Sequence, residues 1–295
     1  GLANILSASS STDQETYSLL LDGTGDYLNT GSTFQSTIRG SFSWSCWVKL
    51  DDGQPGADDT ILGTAVGGTD IMMINARTTG KIEFRFEGDN DPASYETNAA
   101  VFSDGATDWT HIVCTATYNA GGADTSFAIY INGSAVAGTL TDSITDGNHL
   151  LWTTTHNIYL GGVNNTGTVN NTWAGKMDEV ALFNVALSAA EVAGIYNNGR
   201  PFNLTNDFGD YDQSAALVAY YKMFDGAYDD KANGVVHDAH DPGFGAELLT
   251  DGSFDNGLDD WTVTDSGGSD VSLSADGGVG GSKAVQFTGD AANAY

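Results

Sequence analysis

The feature that most constrains this chain is a strict alternation of apolar and polar residues, repeated in one segment after another. In Phe42-Ser43-Trp44-Ser45-Cys46-Trp47-Val48-Lys49-Leu50 the even positions are apolar, while Ser43, Ser45 and Lys49 are polar. Successive side chains of a β-strand point to opposite faces, so this pattern makes a half-buried strand and defeats a helix of period 3.6. Lys81 to Glu87 sets Ile82, Phe84 and Phe86 on one face and four charges of alternating sign on the other. Trp109 to Tyr118 repeats the pattern through Ile112, Cys114, Ala116 and Tyr118.

Phe127 to Ile131 runs into Asn132-Gly133 and out through Ser134-Ala135-Val136. Asn-Gly supplies the two left-handed residues of a type I′ turn, which predicts a tight hairpin. His156–Gly161, Lys176–Phe183 and Leu217–Met223 read as further strands. One helix is predicted: Ser188 and Glu191 form a capping box, Leu187 and Val192 a hydrophobic staple, and Gly199 follows the last turn. The chain has 38 Gly and only 4 Pro, which suits many strands joined by tight turns.

These patterns divide the chain into an N-terminal segment (1–16), a β-sandwich (17–203), an extension strand and linker (204–246) and the start of a second β module (247–295). The second module is read from Trp261-Thr262-Val263 and Ala284-Val285-Gln286-Phe287. Too few strands follow to close it, so the polypeptide is expected to continue past Tyr295. The expected fold class is all-β: an antiparallel two-sheet jelly-roll sandwich with one short helix, followed by that incomplete module.

With 10 Lys+Arg against 39 Asp+Glu, the formal net charge is -29. Phosphate backbones and anionic lipid are held through Lys and Arg, so nucleic acid is excluded as a partner and membrane insertion is not expected. No apolar run reaches the 18 or so residues of a membrane span. Cys46 and Cys114 fall in separate strands; they could form one bridge or serve as two small core residues.

The order Ser18-Leu19-Leu20-Leu21-Asp22-Gly23-Thr24-Gly25-Asp26-Tyr27-Leu28, Phe42 to Val48, Trp109-Thr110-His111-Ile112-Val113, Tyr130-Ile131-Asn132-Gly133 and Tyr159-Leu160-Gly161-Gly162 resembles the laminin G-like / concanavalin A-like superfamily. The most specific piece is Gly175 to Ser188 with Glu191. Tyr196-Asn197-Asn198-Gly199 followed by Leu217 to Met223 is similar to modules of marine bacteriophage virion proteins. Glu247 to Phe254 and Gly257 to Trp261 resemble the opening of jelly-roll carbohydrate-binding modules. The resemblance implies a sandwich that binds glycans, proteins or calcium as part of a larger assembly.

Some members of that superfamily are β-glucanases, whose retaining chemistry needs two carboxyl groups only about 5 Å apart. Glu83 and Glu87 share a strand face but are about 13 Å apart along it, with Arg85 between them. Asp178 and Glu179 are adjacent and point to opposite faces. No Gly-x-Ser-x-Gly elbow occurs, and no His has the spacing of a triad or zinc site. No catalysis is expected.

Calcium takes six to eight oxygens, which Gly/Asp loops supply. The superfamily's meeting of first and last strands makes Asp22, Asp26 and Asp178 candidate calcium ligands. Asp178 shares the parity of Val180 and Leu182, so its carboxylate is expected to turn inward. The bland alternative is that Asp26 and Asp178 accept backbone N–H bonds in turns. A calcium-dependent ligand site of pentraxin type is disfavoured, because Val163-Asn164-Asn165-Thr166 lacks a carboxylate. Aromatic faces stack on sugars while amides meet hydroxyls, so Trp152, Tyr159, Asn164, Asn165 and Trp173 are the candidate carbohydrate ligands. For each ring, packing in the core or at a sheet edge is the competing role.

The expected function is a non-catalytic structural or adhesive module of a phage virion, at the particle surface or extracellular. Its partners would be other virion subunits, in an oligomeric assembly, or a host-surface glycan. The alternatives are a bacterial secreted glycan-binding adhesin and the accessory binding module of a glycosidase.

Overall fold

The computed structural model describes residues 17–66, 70–88, 91–119, 125–226, 229–230, 234, 236–240, 270–274 and 284–288. Its strands are β1 (Leu19–Asp22), β2 (Leu28–Asn29), β3 (Phe42–Leu50), β4 (Asp59–Val66), β5 (Asp70–Ala76), β6 (Ile82–Gly88), β7 (Asp91–Thr97), β8 (Thr110–Thr117), β9 (Ser126–Ile131), β10 (Ser134–Val136), β11 (Gly138–Thr141), β12 (Tyr159–Leu160), β13 (Val163–Asn165), β14 (Thr168–Asn170), β15 (Ala174–Phe183), β16 (Leu217–Tyr221), β17 (Asp270–Ser274) and β18 (Ala284–Thr288). Two one-turn helices, α1 (Gln35–Ile38) and α2 (Asp146–His149), accompany the longer α3 (Ala189–Tyr196).

Two sheets face each other. The smaller has the order β1-β15-β3-β8-β9-β10, with β16 also on β15; the larger has the order β11-β7-β6-β5-β4-β12-β2, with β13 on β4 and β14 on β13. Every pair is antiparallel except β13 with β4. Between the sheets lie Phe42, Trp44, Cys46, Val48 and Leu50 from β3, Met72 and Ile74 from β5, Phe84 and Phe86 from β6, and Ile112 and Cys114 from β8. This is the apolar parity of the alternating segments, and it gives an all-β antiparallel sandwich. Cys46 stands opposite Ile112 and Cys114 opposite Trp44, and both remain free thiols in the core.

The second face of β3 is not solvent-exposed, as the alternation alone implied. Ser43 and Ser45 are buried because α3 and the chain from Phe202 to Tyr211 form a third layer over the smaller sheet. Phe183, Val192, Ile195, Leu204, Tyr211 and Leu217 build the core of that layer. The capping box of α3 is present: Ser188 N–H donates to Glu191 Oε2 at 2.5 Å, and Glu191 N–H donates to Ser188 Oγ at 3.3 Å. The Asn132-Gly133 turn has φ of 49° and 77°, the positive pair a type I′ hairpin requires.

Two expectations change. Of His156–Gly161 only Tyr159–Leu160 is strand. The segment read as an extension, β16, pairs with β15 from Val180 to Phe183 and belongs to the smaller sheet. Residues 243–295 form a separate unit in which β17 pairs antiparallel with β18. Glu247–Phe254 and Trp261–Val263 lie outside the described residues.

Candidate functional site

The larger sheet turns a whole face away from the core. On β5 the inward residues are Met72 and Ile74, so Ile71, Met73 and Asn75 face out; on β6 the inward Phe84 and Phe86 leave Glu83, Arg85 and Glu87 facing out. Following cross-strand partners along this outer face gives one row across seven strands: Asn29, Tyr159, Gly63, Met73, Arg85, Ser94 and Thr141. At 4.8 Å per strand the row is about 29 Å long. Asn75, Glu83, Glu96 and Thr139 form a parallel row on one side of it.

Two concavities lie along this face. One of about 440 Å³ has an apolar floor of Ala65, Ile71, Met73 and Val163, rimmed by the amides Asn165, Asn170 and Asn171. The floor stays low at Gly63, where a Cβ would come within 2.8 Å of Met73 Cβ. The other, of about 470 Å³, is lined by Glu83, Arg85, Ser94, Glu96, Thr139, Thr141 and Asp142. Met73 of the first and Arg85 of the second are cross-strand partners.

The charges of this face are held unequally. Glu83 Oε1 accepts Ser94 Oγ at 2.7 Å, and its Oε2 accepts Asn75 Nδ2 at 2.9 Å and Arg77 Nη1 at 2.9 Å. Burial works against the ionised form of Glu83, but these donors outweigh it and hold the carboxyl below its usual range. Arg77 also meets Asp58 and Glu96, and Lys81 meets Glu96 at 2.8 Å. Among the described residues Arg85 is held by Glu87, at 3.5 Å, and 41% of its side chain is exposed.

The structure separates the proposed sugar ligands. Asn165 lines the amide-rimmed concavity. Tyr159 lies in the long row and stacks on Tyr27, with centroids 4.2 Å apart and planes 16° from parallel; Tyr27 is 42% exposed. Asn164 is structural: its Nδ2 donates to Asn157 O at 2.8 Å and its Oδ1 accepts Gly167 N–H at 2.9 Å, which fixes the β13–β14 turn. Trp152 and Trp173 have no exposed surface and belong to the core, so neither ring offers a face to a ligand. Their position beside a polar loop did not reveal this, because both segments turn inward to fill the sandwich.

The structure does not bring the three aspartates together either. The first strand, β1, does pair with β15, but Asp22 stands opposite Ala174. Asp178 is four residues further along β15, about 13 Å away. Asp22 Oδ1 accepts Thr24 N–H at 2.7 Å in a local turn. The inward parity expected for Asp178 is corrected by a bulge between Asp178 and Ala181, with Glu179 at φ 49°. The extra residue flips the alternation, so Met177 and Val180 are both inward while Asp178 lies outside beside Trp47. Its Oδ1 accepts Glu179 N–H at 2.9 Å. Among the described residues no three His, Cys, Asp or Glu side chains converge to hold a metal.

One constellation was invisible to sequence spacing. Ser45 Oγ lies 2.9 Å from His111 Nε2, and Glu179 lines the same small space, of about 10 Å³, under α3. The pair is sealed: both side chains are buried, and burial pushes the imidazole down to about 3. A space of this size admits at most one water, so the pair is a packing contact and not a nucleophile with a substrate path.

Residues 22–193, more than half of the chain, match the family described as the Concanavalin A-like lectin/glucanases superfamily, and the chain belongs to that superfamily. Among solved structures, its fold is similar to the Ruminococcus gnavus IT-sialidase CBM40, with 14% identity and a TM-score of 0.47 over 61% of this chain and 96% of that one. It is also similar to the NanB sialidase from Streptococcus pneumoniae, with 20% identity and a TM-score of 0.46 over 66% of this chain and 29% of that one. The leech intramolecular trans-sialidase gives 13% identity and a TM-score of 0.44 over 65% and 29%. No curated protein matches the sequence.

Proposed function

We propose that this chain is a non-catalytic glycan-binding module, secreted or displayed at a surface, which holds an extended uncharged oligosaccharide along the outer face of its larger sheet. The observation that carries this reading is the trough that two concavities make along this face, an amide-rimmed one over Met73 and a charged one over Arg85, its cross-strand partner. It combines an apolar floor for C–H faces with amide, carboxylate, hydroxyl and guanidinium groups for hydroxyls. The net charge of -29 argues against an anionic chain.

A glycosidase reading fits less well. Glu83 and Glu87 remain about 13 Å apart along β6. A retaining pair needs about 5 Å and an inverting pair about 6.5 to 9.5 Å, and the hydrogen bonds to Glu83 oppose a protonated general acid. A virion-borne form of the same module is the second reading, favoured by the likeness of Tyr196–Gly199 and Leu217–Met223 to phage virion modules. Mass spectrometry of purified particles against culture medium separates the two settings.

The binding reading is tested on a glycan array with and without a chelator. Saturable binding to a neutral oligosaccharide, weakened by Arg85→Ala, supports it. Calcium is assigned no role in this trough, so chelation is expected to leave the signal unchanged. Retention of full binding by both Arg85→Ala and Asn165→Ala would move the site off this face.

A further inference from the structure

The smaller sheet carries a second concavity on its own outer face, remote in topology from the trough. Trp47, Trp109 and Tyr17 supply its rings, Lys176 and Asp178 its charges, and Ser18, Gly199 and Pro201 complete a space of about 280 Å³. Trp109 and Tyr17 are 38% and 42% exposed, large surfaces to leave in water. Lys176 and Asp178 occupy alternate positions of β15, which puts both on this face about 7 Å apart. The bulge at Glu179 begins just beyond Asp178 and returns Val180 to the core.

The inner wall is rigid before any ligand arrives. Trp47 packs on His111 with centroids 5.0 Å apart and on Tyr196 at 5.7 Å with planes 22° from parallel. Tyr196 is pressed in turn by the Gly133 hairpin, where a Cβ would come within 2.8 Å of the ring. His111 is fixed by Ser45 and by its backbone N–H to Asn132 Oδ1 at 2.9 Å. A ring locked this way loses little entropy on binding.

We propose that this pocket is a separate binding site for one neutral sugar residue. The volume falls below the usual range for a drug-sized ligand, which leaves room for a single ring. The mixed charges select the class. An anion would meet Asp178 and a cation would meet Lys176, whereas a polyol donates to the carboxylate and accepts from the ammonium. The indoles take its C–H face. The pocket and the trough lie on opposite outer faces of the sandwich, so the pocket would take its ligand independently of the trough.

The test is a titration of the full ¹⁵N-labelled chain, read at the indole signals of Trp47 and Trp109. The probes are methyl glycosides of glucose, galactose, mannose and N-acetylglucosamine, with choline and N-acetylneuraminic acid as charged controls. At least one neutral glycoside is expected to shift both indole signals saturably. Trp109→Ala should weaken that binding by about tenfold and Lys176→Met by a few fold, while Arg85→Ala leaves it unchanged. Shifts with only a charged control, or with no probe at the limit of solubility, overturn the proposal. Shifts at Arg85 and Asn165 with none at Trp47 and Trp109 overturn it too, while leaving the trough reading intact. The reverse pattern upholds the pocket and leaves the trough to be judged with an oligosaccharide. Unmoved core indole signals of Trp44 and Trp152 in each variant show that the fold is preserved.

Discussion

Arg85 and Glu83 sit two residues apart on one strand face, yet they do different things. Arg85 is loosely held and partly exposed, so Arg85→Ala is expected to change stability by less than about 0.5 kcal/mol. The same variant should lose about five- to tenfold in glycan affinity, read by calorimetry, because a charged hydrogen bond is removed. Glu83 ties Ser94, Asn75 and Arg77 together, and Glu83→Ala would take the acceptor from the buried Asn75 amide and release the half-buried Ser94 and Arg77. A loss of about 2 to 3 kcal/mol in denaturant unfolding is expected. The sequence showed the alternation of these charges but not their burial. That depends on donors from the neighbouring strands, Asn75 on β5 and Ser94 on β7, which strand parity alone does not name. Asn164 and Asn165 divide in the same way: neighbours of one type, one spent on a turn and the other facing the trough.

At the scale of elements, local chemistry was legible wherever it was self-contained. The Asn132-Gly133 turn and the Ser188–Glu191 capping box form as read, since each needs only residues within a few positions. Ser188→Ala should cost about 1 kcal/mol through loss of the cap and leave glycan binding unchanged, as read by thermal unfolding and calorimetry on the same sample. The bulge at Glu179 was not legible. Parity assigned Asp178 to the core because period-2 reasoning assumes an uninterrupted strand, and one inserted residue reverses every side chain beyond it. The one-turn helices α1 and α2 escaped notice because four residues are too few to show a period. For Trp152 and Trp173, the flanking polar residues signalled a surface loop, whereas the sandwich uses both rings as core.

The larger unit is a sandwich with one face open and the other largely covered, and that asymmetry sets its response to acid. His111 lies under the third layer, where burial pushes its imidazole down to about 3. In the unfolded chain the same group titrates near 6.5. Between these values the unfolded chain binds the proton and the folded one does not. Stability is therefore complete above about pH 6.5 and falls as pH drops toward 3, by up to about 4 to 5 kcal/mol. Asp59, raised to about 6 by burial and then by Asp52 and Asp58, works in the opposite direction between about pH 6 and 4. It is only half-buried and offsets a minor part. Denaturant midpoints from pH 7 to 4 should show this decline, and His111→Gln should flatten it. The third layer itself was only partly legible: its helix was read, but its cover over Ser43 and Ser45 comes from residues more than a hundred positions away. A crystal structure with a bound neutral oligosaccharide tests most directly whether the open face holds the ligand. Sugar density along Tyr159, Met73, Arg85 and Ser94 is the predicted result; a ligand bound to the sandwich with that row empty would contradict it.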